Sequence, residues 1–152
     1  MGLIRLIAAC ILLALISRAA WPDEPPAAEA GRTIWDGVYT EAQAKRGEAI
    51  YPSVCGRCHG YKLDGAPDDP DMLPTPPIAG PKFLRRWNGG SLATLFEVTR
   101  TTMPAINPQS LSDQEFADLI AYALSVSRAR PGPMELEPET TALADIVIEQ
   151  RQ

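Results

Sequence analysis

The sequence contains few of the side chains that usually bind metals and cofactors. Its 152 residues include one histidine, His59, and three cysteines, Cys10, Cys55 and Cys58. Any site that needs two histidines from this chain is therefore excluded. The alternating apolar and polar residues of β-strands are absent as well, and fifteen prolines interrupt the chain between its helical runs. These shortages predict a small, loop-rich, all-α protein.

Residues 1–19 have the pattern of a secretory signal peptide. Arg5 precedes an unbroken apolar run, Leu6–Ile16, and small residues follow where a signal peptidase cleaves. A transmembrane anchor is disfavoured because a span needs roughly 20 apolar residues. Lipoprotein processing at Cys10 is disfavoured because few apolar residues precede that cysteine. We therefore expect residues 1–19 to be a signal peptide and the protein to be periplasmic.

Three strong helical patterns divide the rest of the chain. They cover residues 40–51, where Pro52 is expected to end the helix, residues 92–101, and residues 113–127. A weaker pattern at residues 82–87 predicts a short helical turn. Each strong pattern follows a hydroxyl residue that can cap its first turn: Thr40, Ser91 and Ser112. In the first and third, a side chain is placed to complete a capping box: Gln43 and Glu115.

These patterns predict one domain between two less regular segments. Residues 20–32 are rich in proline, alanine and acidic residues and are expected to be a flexible leader. Residues 33–128 contain all the strong helical patterns and form the predicted domain. Residues 129–152 are predicted to be a C-terminal tail, polar and mobile after Pro131, with room for one short helix within residues 142–148.

The run Cys55-Gly56-Arg57-Cys58-His59 is the C-x-x-C-H pattern of c-type haem attachment. Thiols at this spacing reach the two vinyl groups on one edge of a porphyrin, and the next residue places an imidazole at the iron. The motif uses both cysteines that follow the signal peptide, and the single histidine. It predicts one haem c, bound covalently through Cys55 and Cys58, with His59 as an axial iron ligand.

Two other uses of the motif fit the sequence less well. A structural zinc site needs four nitrogen or sulfur ligands, and the chain after residue 19 offers two cysteines and one histidine. A redox C-x-x-C of the thioredoxin type lies in a βαβ unit, and no strand pattern surrounds this one.

The second axial ligand is predicted to be Met103. Besides Met1, the chain has Met72, Met103 and Met134. Met103 lies in a loop between two helical patterns, and Pro104 restricts it to extended geometry, which suits a side chain directed at a fixed target. Met72 lies in an acidic, proline-rich loop, and Met134 lies in the predicted tail. A lysine, a tyrosine or an open position are the alternatives.

The order of these features resembles the class I cytochromes c. A helix, the haem motif, a Pro-x-apolar-x-Gly turn, a helix leading to Met-Pro and a final helix follow one another within residues 33–128. The runs Trp35–Thr40 and Leu111–Tyr122 are similar to bacterial monohaem cytochrome modules, some of which are associated with quinoprotein (PQQ-dependent) dehydrogenases. The resemblance implies a class I cytochrome c fold, with three to five helices wrapped around one covalently bound haem.

The resemblance also implies roles for residues outside the haem motif. Pro76, in the turn 76–80, would offer its backbone carbonyl to the second nitrogen of His59; a stiff connector is the alternative role for these prolines. Trp87 and Arg85, with the neighbouring Arg86, would face the haem propionates. The acidic loop Asp64–Thr75 is longer than in the simplest family pattern.

The crossing of the first and last helices is a further implication of the resemblance. Gly47 and Tyr51 in the first helix would meet the last helix around Tyr122 and Ala123. A glycine inside a helix costs about 1 kcal/mol relative to alanine, and close approach of another helix would account for it.

Together these features predict an electron carrier, not an enzyme. Single electrons would come from a dehydrogenase or quinol-oxidising complex and pass to an oxidase or another cytochrome. A dedicated electron-transfer subunit of a quinoprotein dehydrogenase complex and a gas-binding haem sensor with an open sixth position are the alternatives.

The charge of the chain bears on its partners. Residues 1–19 carry two arginines and no acidic residue, so without them the net charge is −7 instead of −5. The chain lacks the basic patch of a nucleic-acid binder, and membrane contact is expected only transiently or through a partner. The negative charge has two equally suitable explanations. It could attract a redox partner with a positively charged docking face, or it could keep the protein soluble.

Overall fold

The computed structural model describes residues 31–71 and 75–151, which leaves the predicted signal peptide, most of the leader and Met72 outside the described residues. Within the described ranges the protein has six α-helices: α1 Glu41–Val54, α2 Gly56–His59, α3 Gly80–Trp87, α4 Leu92–Thr102, α5 Asp113–Val126 and α6 Thr140–Leu143. The described residues form no strand, and two isolated β-bridges join Val147 to Thr33 and to Ser91. The all-α prediction is confirmed. No helix in these ranges is both long and apolar enough to cross a bilayer.

The three predicted caps begin their helices as expected. The hydroxyls of Thr40, Ser91 and Ser112 each accept a hydrogen bond from the backbone amide three residues further on. At α5 the capping box is complete, because the Glu115 carboxylate also accepts from the Ser112 amide at 2.8 Å. Side-chain caps of this kind stabilise a helix by about 1 kcal/mol each.

Pro52 does not end α1, contrary to the sequence prediction. The helix continues to Val54, and the Cys55 amide still donates to the Tyr51 carbonyl at 2.9 Å. A proline in the last turn removes only its own amide from the hydrogen-bond ladder, and the amides after it keep helical partners. α1 therefore reaches the haem motif without an intervening loop.

The predicted capping box at α1 is only half formed. Thr40 caps the helix, but the Gln43 side chain is fully buried and pairs with the backbone of Leu136 in both directions. Its Nε2 donates to the Leu136 carbonyl at 2.9 Å, and its Oε1 accepts from the Leu136 amide at 2.7 Å. A buried backbone needs both partners, so Gln43 serves the C-terminal segment instead of its own helix.

The C-terminal segment is part of the core, and the prediction of a polar, mobile tail is wrong. Five of its apolar side chains are buried in the main hydrophobic cluster: Ala129, Leu136, Leu143, Ile146 and Ile148. Residues 146–148 lie between the N-terminal residues 32–34 and the α3–α4 loop, and exchange backbone hydrogen bonds of 2.8–3.0 Å with both. Residues 31–151 thus pack as one unit.

An ion-pair network ties the same segment to α1 and α5. The Arg46 guanidinium donates to Asp118, whose side chain is 4% exposed, and to Glu135, in each case at 2.8 Å. A carboxylate as buried as Asp118 requires such a partner. The hydrogen bonds from Arg46 hold the pKa of Glu135 below its usual range.

α1 and α5 form the most extensive helix pair, as the resemblance implied. They touch at Gly47: a Cβ built there would overlap the Asp118 carbonyl and lie 2.9 Å from the Tyr122 Cβ. One turn later the Tyr51 and Tyr122 rings meet edge to face, with centroids 5.6 Å apart. The glycine is therefore required by close backbone approach.

Gly47→Ala is expected to lower the free energy of unfolding by about 1–3 kcal/mol, because the added methyl group forces the two helices apart. Chemical denaturation of the haem-loaded protein measures the change. Gly31→Ala is the matched control, since a Cβ there would meet its nearest neighbour, the Asp145 carbonyl, at an ordinary 3.6 Å. Equal stabilities for the two variants would contradict the close contact.

Candidate haem site

The haem motif forms one turn of helix directly after α1. The amides of Cys58 and His59 both donate to the Cys55 carbonyl, at 3.1 and 2.9 Å. Residues three and four positions apart are neighbours on a helical surface, so the second cysteine and the histidine both lie beside Cys55. The turn thus places two thiols and one imidazole together.

Cys55 and Cys58 form no disulfide bond, and their surroundings differ. Cys58 is exposed, whereas Cys55 is half-buried against the smaller of two hydrophobic clusters. Burial, with a smaller contribution from Cys58, raises the pKa of the Cys55 thiol to about 11. Reactive redox and metal-binding cysteines have lowered pKa values, so the site does not suit a thioredoxin-type thiolate. No group of three His, Cys, Asp or Glu side chains within residues 31–71 and 75–151 could hold a metal ion.

The His59 imidazole is oriented by Pro76. The Pro76 carbonyl lies 3.0 Å from Nδ1 of His59, which is the contact that the resemblance implied. Because a carbonyl can only accept, Nδ1 must carry the proton, and the neutral ring then presents its lone pair at Nε2. The arrangement prepares Nε2 as a metal ligand and makes Nδ1 a donor to the backbone, as is usual for metal-binding histidines.

The loop that brings Pro76 to His59 is folded back by hydrogen bonds and by one buried apolar side chain. Tyr51, on α1, donates its hydroxyl to the Gly60 carbonyl at 2.8 Å. Leu63 is 1% exposed, adopts a positive φ of 61°, and its carbonyl accepts from the Ile78 amide at 2.9 Å. Thr75 donates its hydroxyl to the Cys58 carbonyl at 2.5 Å. These contacts close the loop on the haem motif.

Met103 follows the last residue of α4. Its backbone is extended, with φ −120° and ψ 150°, and its amide donates to the Thr99 carbonyl at 2.9 Å. The extended geometry expected before Pro104 is therefore present. The side chain is half-buried, whereas Met134 is 60% exposed.

The structure places Trp87 and Arg85 on α3. Trp87 ends that helix and packs, half-buried, against the main hydrophobic cluster. Arg85 and Arg86 are exposed and form no salt bridge or hydrogen bond with any residue in the described ranges. Their guanidinium groups are thus available to an anionic group, and no observed contact links them to His59 or Met103.

The residues present fit a haem. The smaller cluster, with Tyr51, Leu63 and Leu119 in its interior, carries half-exposed apolar side chains at its border: Ile50, Cys55, Ile78, Leu111 and Tyr122. Leu111 also borders the main cluster. Half-exposed apolar side chains beside two thiols and a ligating imidazole suit a large apolar cofactor, since covering them is favourable by about 25 cal/mol per Å². The two thiols and the imidazole, and the apolar side chains beside them, both suit a haem.

Sequence reasoning missed the residues that shape the loop around the motif. The resemblance implies only that Tyr51 meets the last helix, and no sequence pattern indicates a role for Leu63 or Thr75. Glycines at Gly60 and Gly65, both at positive φ, were the available signal of a tight turn, but no local pattern shows which side chain such a turn covers.

Comparison with known proteins identifies the family. The family described as cytochrome c oxidase, cbb3-type, subunit III matches residues 42–122, which include the haem motif, Pro76 and Met103. The thiosulfate dehydrogenase of Allochromatium vinosum is 31% identical over 99 residues, which are 64% of this chain and 35% of that protein. The chain thus spans about a third of that relative's length. No solved structure matches the chain significantly.

The family match confirms the resemblance to class I c-type cytochromes, and the family indicates a covalently bound haem and electron transfer. The association with quinoprotein dehydrogenases stays a prediction. Because the match covers more than half of the chain, the protein belongs to this cbb3-type subunit III family and is a class I c-type cytochrome.

Proposed function

We propose that this protein carries single electrons between redox partners in the periplasm, through one haem c attached at Cys55 and Cys58 and ligated by His59 and Met103. The observation that supports this most is the Pro76 carbonyl at 3.0 Å from Nδ1 of His59, because it sets the tautomer that an iron ligand needs, next to two free thiols. A bound haem c supplies one-electron cycling between ferrous and ferric iron.

The chain's own residues have three tasks in this proposal. The two thiols hold the cofactor by thioether bonds, so it cannot dissociate. His59 would offer its Nε2 lone pair to the iron, while its Nδ1–H donates a hydrogen bond to the Pro76 carbonyl. Met103 closes the sixth position with a thioether sulfur. His and Met ligation together raise the reduction potential and leave no site for a substrate, which suits electron transfer without further chemistry.

Met103→Ala is expected to open the sixth coordination position. The purified ferrous wild type should bind carbon monoxide slowly or not at all, and the ferric protein should show a methionine–iron charge-transfer band. In the variant the band should disappear and carbon monoxide should bind at least 100-fold faster, since displacing a bound thioether from iron is no longer required. Absorption spectra and stopped-flow mixing measure both.

Two matched variants identify the ligand. Met134→Ala should leave the spectrum unchanged, because its side chain is 60% exposed, and Met72→Ala should do the same. If Met72→Ala removed the band instead, Met103 would not be the ligand. Rapid carbon monoxide binding to the wild type would favour the gas-sensor alternative, and a colourless protein would contradict haem binding altogether.

A dedicated electron-transfer subunit of a dehydrogenase complex is the second candidate. Its support is the similarity to a protein named thiosulfate dehydrogenase, of which this chain spans 35%. The relative's name is consistent with a dehydrogenase as the electron donor, but it does not indicate that the dehydrogenase is a quinoprotein. Co-purification of an untagged partner would support this candidate, whereas a free monomer that exchanges electrons with several cytochromes would oppose it.

The periplasmic location is proposed from residues 1–19 alone. Attachment of haem at a C-x-x-C-H motif and an excess of acidic residues are both compatible with export. N-terminal sequencing of the mature protein tests this part of the proposal: a start near Ala20 supports it, and a start at Met1 opposes it.

A further inference from the structure

Thr75 joins the haem motif to the segment that carries Pro76. Its hydroxyl donates to the Cys58 carbonyl at 2.5 Å, and the carbonyl of the next residue, Pro76, accepts from Nδ1 of His59 at 3.0 Å. Two neighbouring residues of the loop thus contact two neighbouring residues of the motif. The Thr75 hydroxyl is the contact that nothing in the family match assigns.

Among the residues that the structure describes, the segment around Pro76 makes few other hydrogen bonds. Pro76 and Pro77 have no amide hydrogen, so neither can donate a backbone hydrogen bond. The next amide, of Ile78, donates to the Leu63 carbonyl at 2.9 Å and holds the downstream end. On the upstream side the Thr75 side chain provides the hydrogen bond to the haem motif.

Gly65 also connects the loop to the haem motif and packs against the segment that carries Pro76. Its amide donates to the His59 carbonyl at 2.8 Å. A Cβ built on Gly65 would overlap the Thr75 carbonyl and lie 3.2 Å from the Pro77 nitrogen. Thr75 is therefore confined between Gly65 and Cys58, which leaves little freedom for the carbonyl that follows it.

We propose that Thr75 is a positioning residue for the axial histidine: its hydroxyl keeps the Pro76 carbonyl on Nδ1 of His59 and so sets the orientation and donor strength of the imidazole. The inference rests on the proposed function of His59. A firm hydrogen bond from Nδ1 makes the imidazole a better electron donor to iron, which favours the ferric state. Loosening the bond should favour the ferrous state.

Thr75→Val removes the hydroxyl and keeps the shape of the side chain. In the haem-loaded variant, the equilibrium constant for reduction by a fixed mediator should rise by roughly tenfold, the order of the effect that losing a partner of a metal ligand has on metal affinity or activity. In the ferrous protein, the Nδ1 proton of His59 should exchange with water about tenfold faster, as one weakened hydrogen bond predicts. Spectroelectrochemistry and proton NMR measure these two quantities.

Three variants serve as comparisons. Thr75→Ser keeps the hydroxyl and should restore wild-type values of both quantities. Thr141→Val makes the same chemical change at an exposed position of α6 and should alter neither. If the valine variant does not fold, Thr75→Ala carries the same expectation with less bulk. A purely structural role would lower stability without changing the potential or the exchange rate.

The outcomes separate this inference from the proposed function. If the wild type carries haem and Thr75→Val has the same reduction potential and the same Nδ1 proton exchange rate, only the role of Thr75 is overturned. A wild type without covalent haem would overturn the proposed function, and the role of Thr75 with it. The expected rise in both quantities, with rescue by serine, would establish Thr75 as the positioning residue.

Discussion

A variant in which Cys55 and Cys58 are both replaced by alanine is expected to carry no covalently bound haem. The two thiols lie on one helical turn beside His59, and the turn contains no other cysteine, so no other side chain in it can form a thioether. Haem staining of a denaturing gel should change from a strong band to none. Each single variant should keep one thioether and shift the absorption maximum of its pyridine haemochrome.

Cys10→Ala is the matched control for this experiment. Cys10 lies within the predicted signal peptide, so its loss should change neither the haem stain nor the haemochrome spectrum. Covalent haem in the double variant would show that attachment uses another residue, and loss of haem in the Cys10 variant would show that this cysteine belongs to the mature protein. The first result would contradict the assignment of the motif, and the second would contradict the predicted signal peptide.

The local geometry of the candidate haem site could be predicted from sequence because it depends on the spacing of neighbouring residues. Two thiols and an imidazole within five residues fold into one helical turn wherever the surroundings allow, and the preceding helix delivers that turn without a break. The extended backbone of Met103 is likewise a local effect, since Pro104 restricts the residue before it. The family match then supports electron transfer as the use of these groups.

The contacts that the sequence did not reveal are those between distant residues. The Gln43 side chain was expected to close its own capping box, three residues away, but it serves the backbone of Leu136. The local pattern indicates the Thr40 backbone amide as the partner of Gln43. In the folded chain the partner is the backbone of Leu136, which would otherwise be buried without hydrogen bonds. Thr75 is the same kind of case, because only the folded loop brings it to the Cys58 carbonyl.

The C-terminal segment was misjudged for a related reason. Its first half is acidic and rich in proline, and the short apolar run at residues 142–148 gives only a weak helical pattern. Several of its apolar side chains are buried because residues 146–148 fit between two other parts of the chain, residues 32–34 and the α3–α4 loop. Helix α4 leads to Met103, so this segment supports the element that carries the predicted sixth ligand.

Ile148→Ala is expected to be among the most destabilising single changes away from the haem motif. Ile148 is 0% exposed, and its amide and carbonyl bond to Gly90 and Gly89, both at 2.8 Å. Truncating a buried isoleucine to alanine costs about 3 kcal/mol from lost burial and the cavity left behind. For a chain of this size that corresponds to a fall in melting temperature of roughly 6–12 °C. Thermal and chemical unfolding of the haem-loaded protein measure the loss.

Ile106→Ala provides the same chemical change without burial. Ile106 is 95% exposed, so its truncation should alter the free energy of unfolding by less than about 0.5 kcal/mol. A polar, mobile tail would make the two variants equally stable, and that result would refute the packing of residues 146–148. A large loss confined to Ile148→Ala would show that the C-terminal segment is a structural part of this cytochrome, because only a residue enclosed by the fold leaves a cavity when it is shortened.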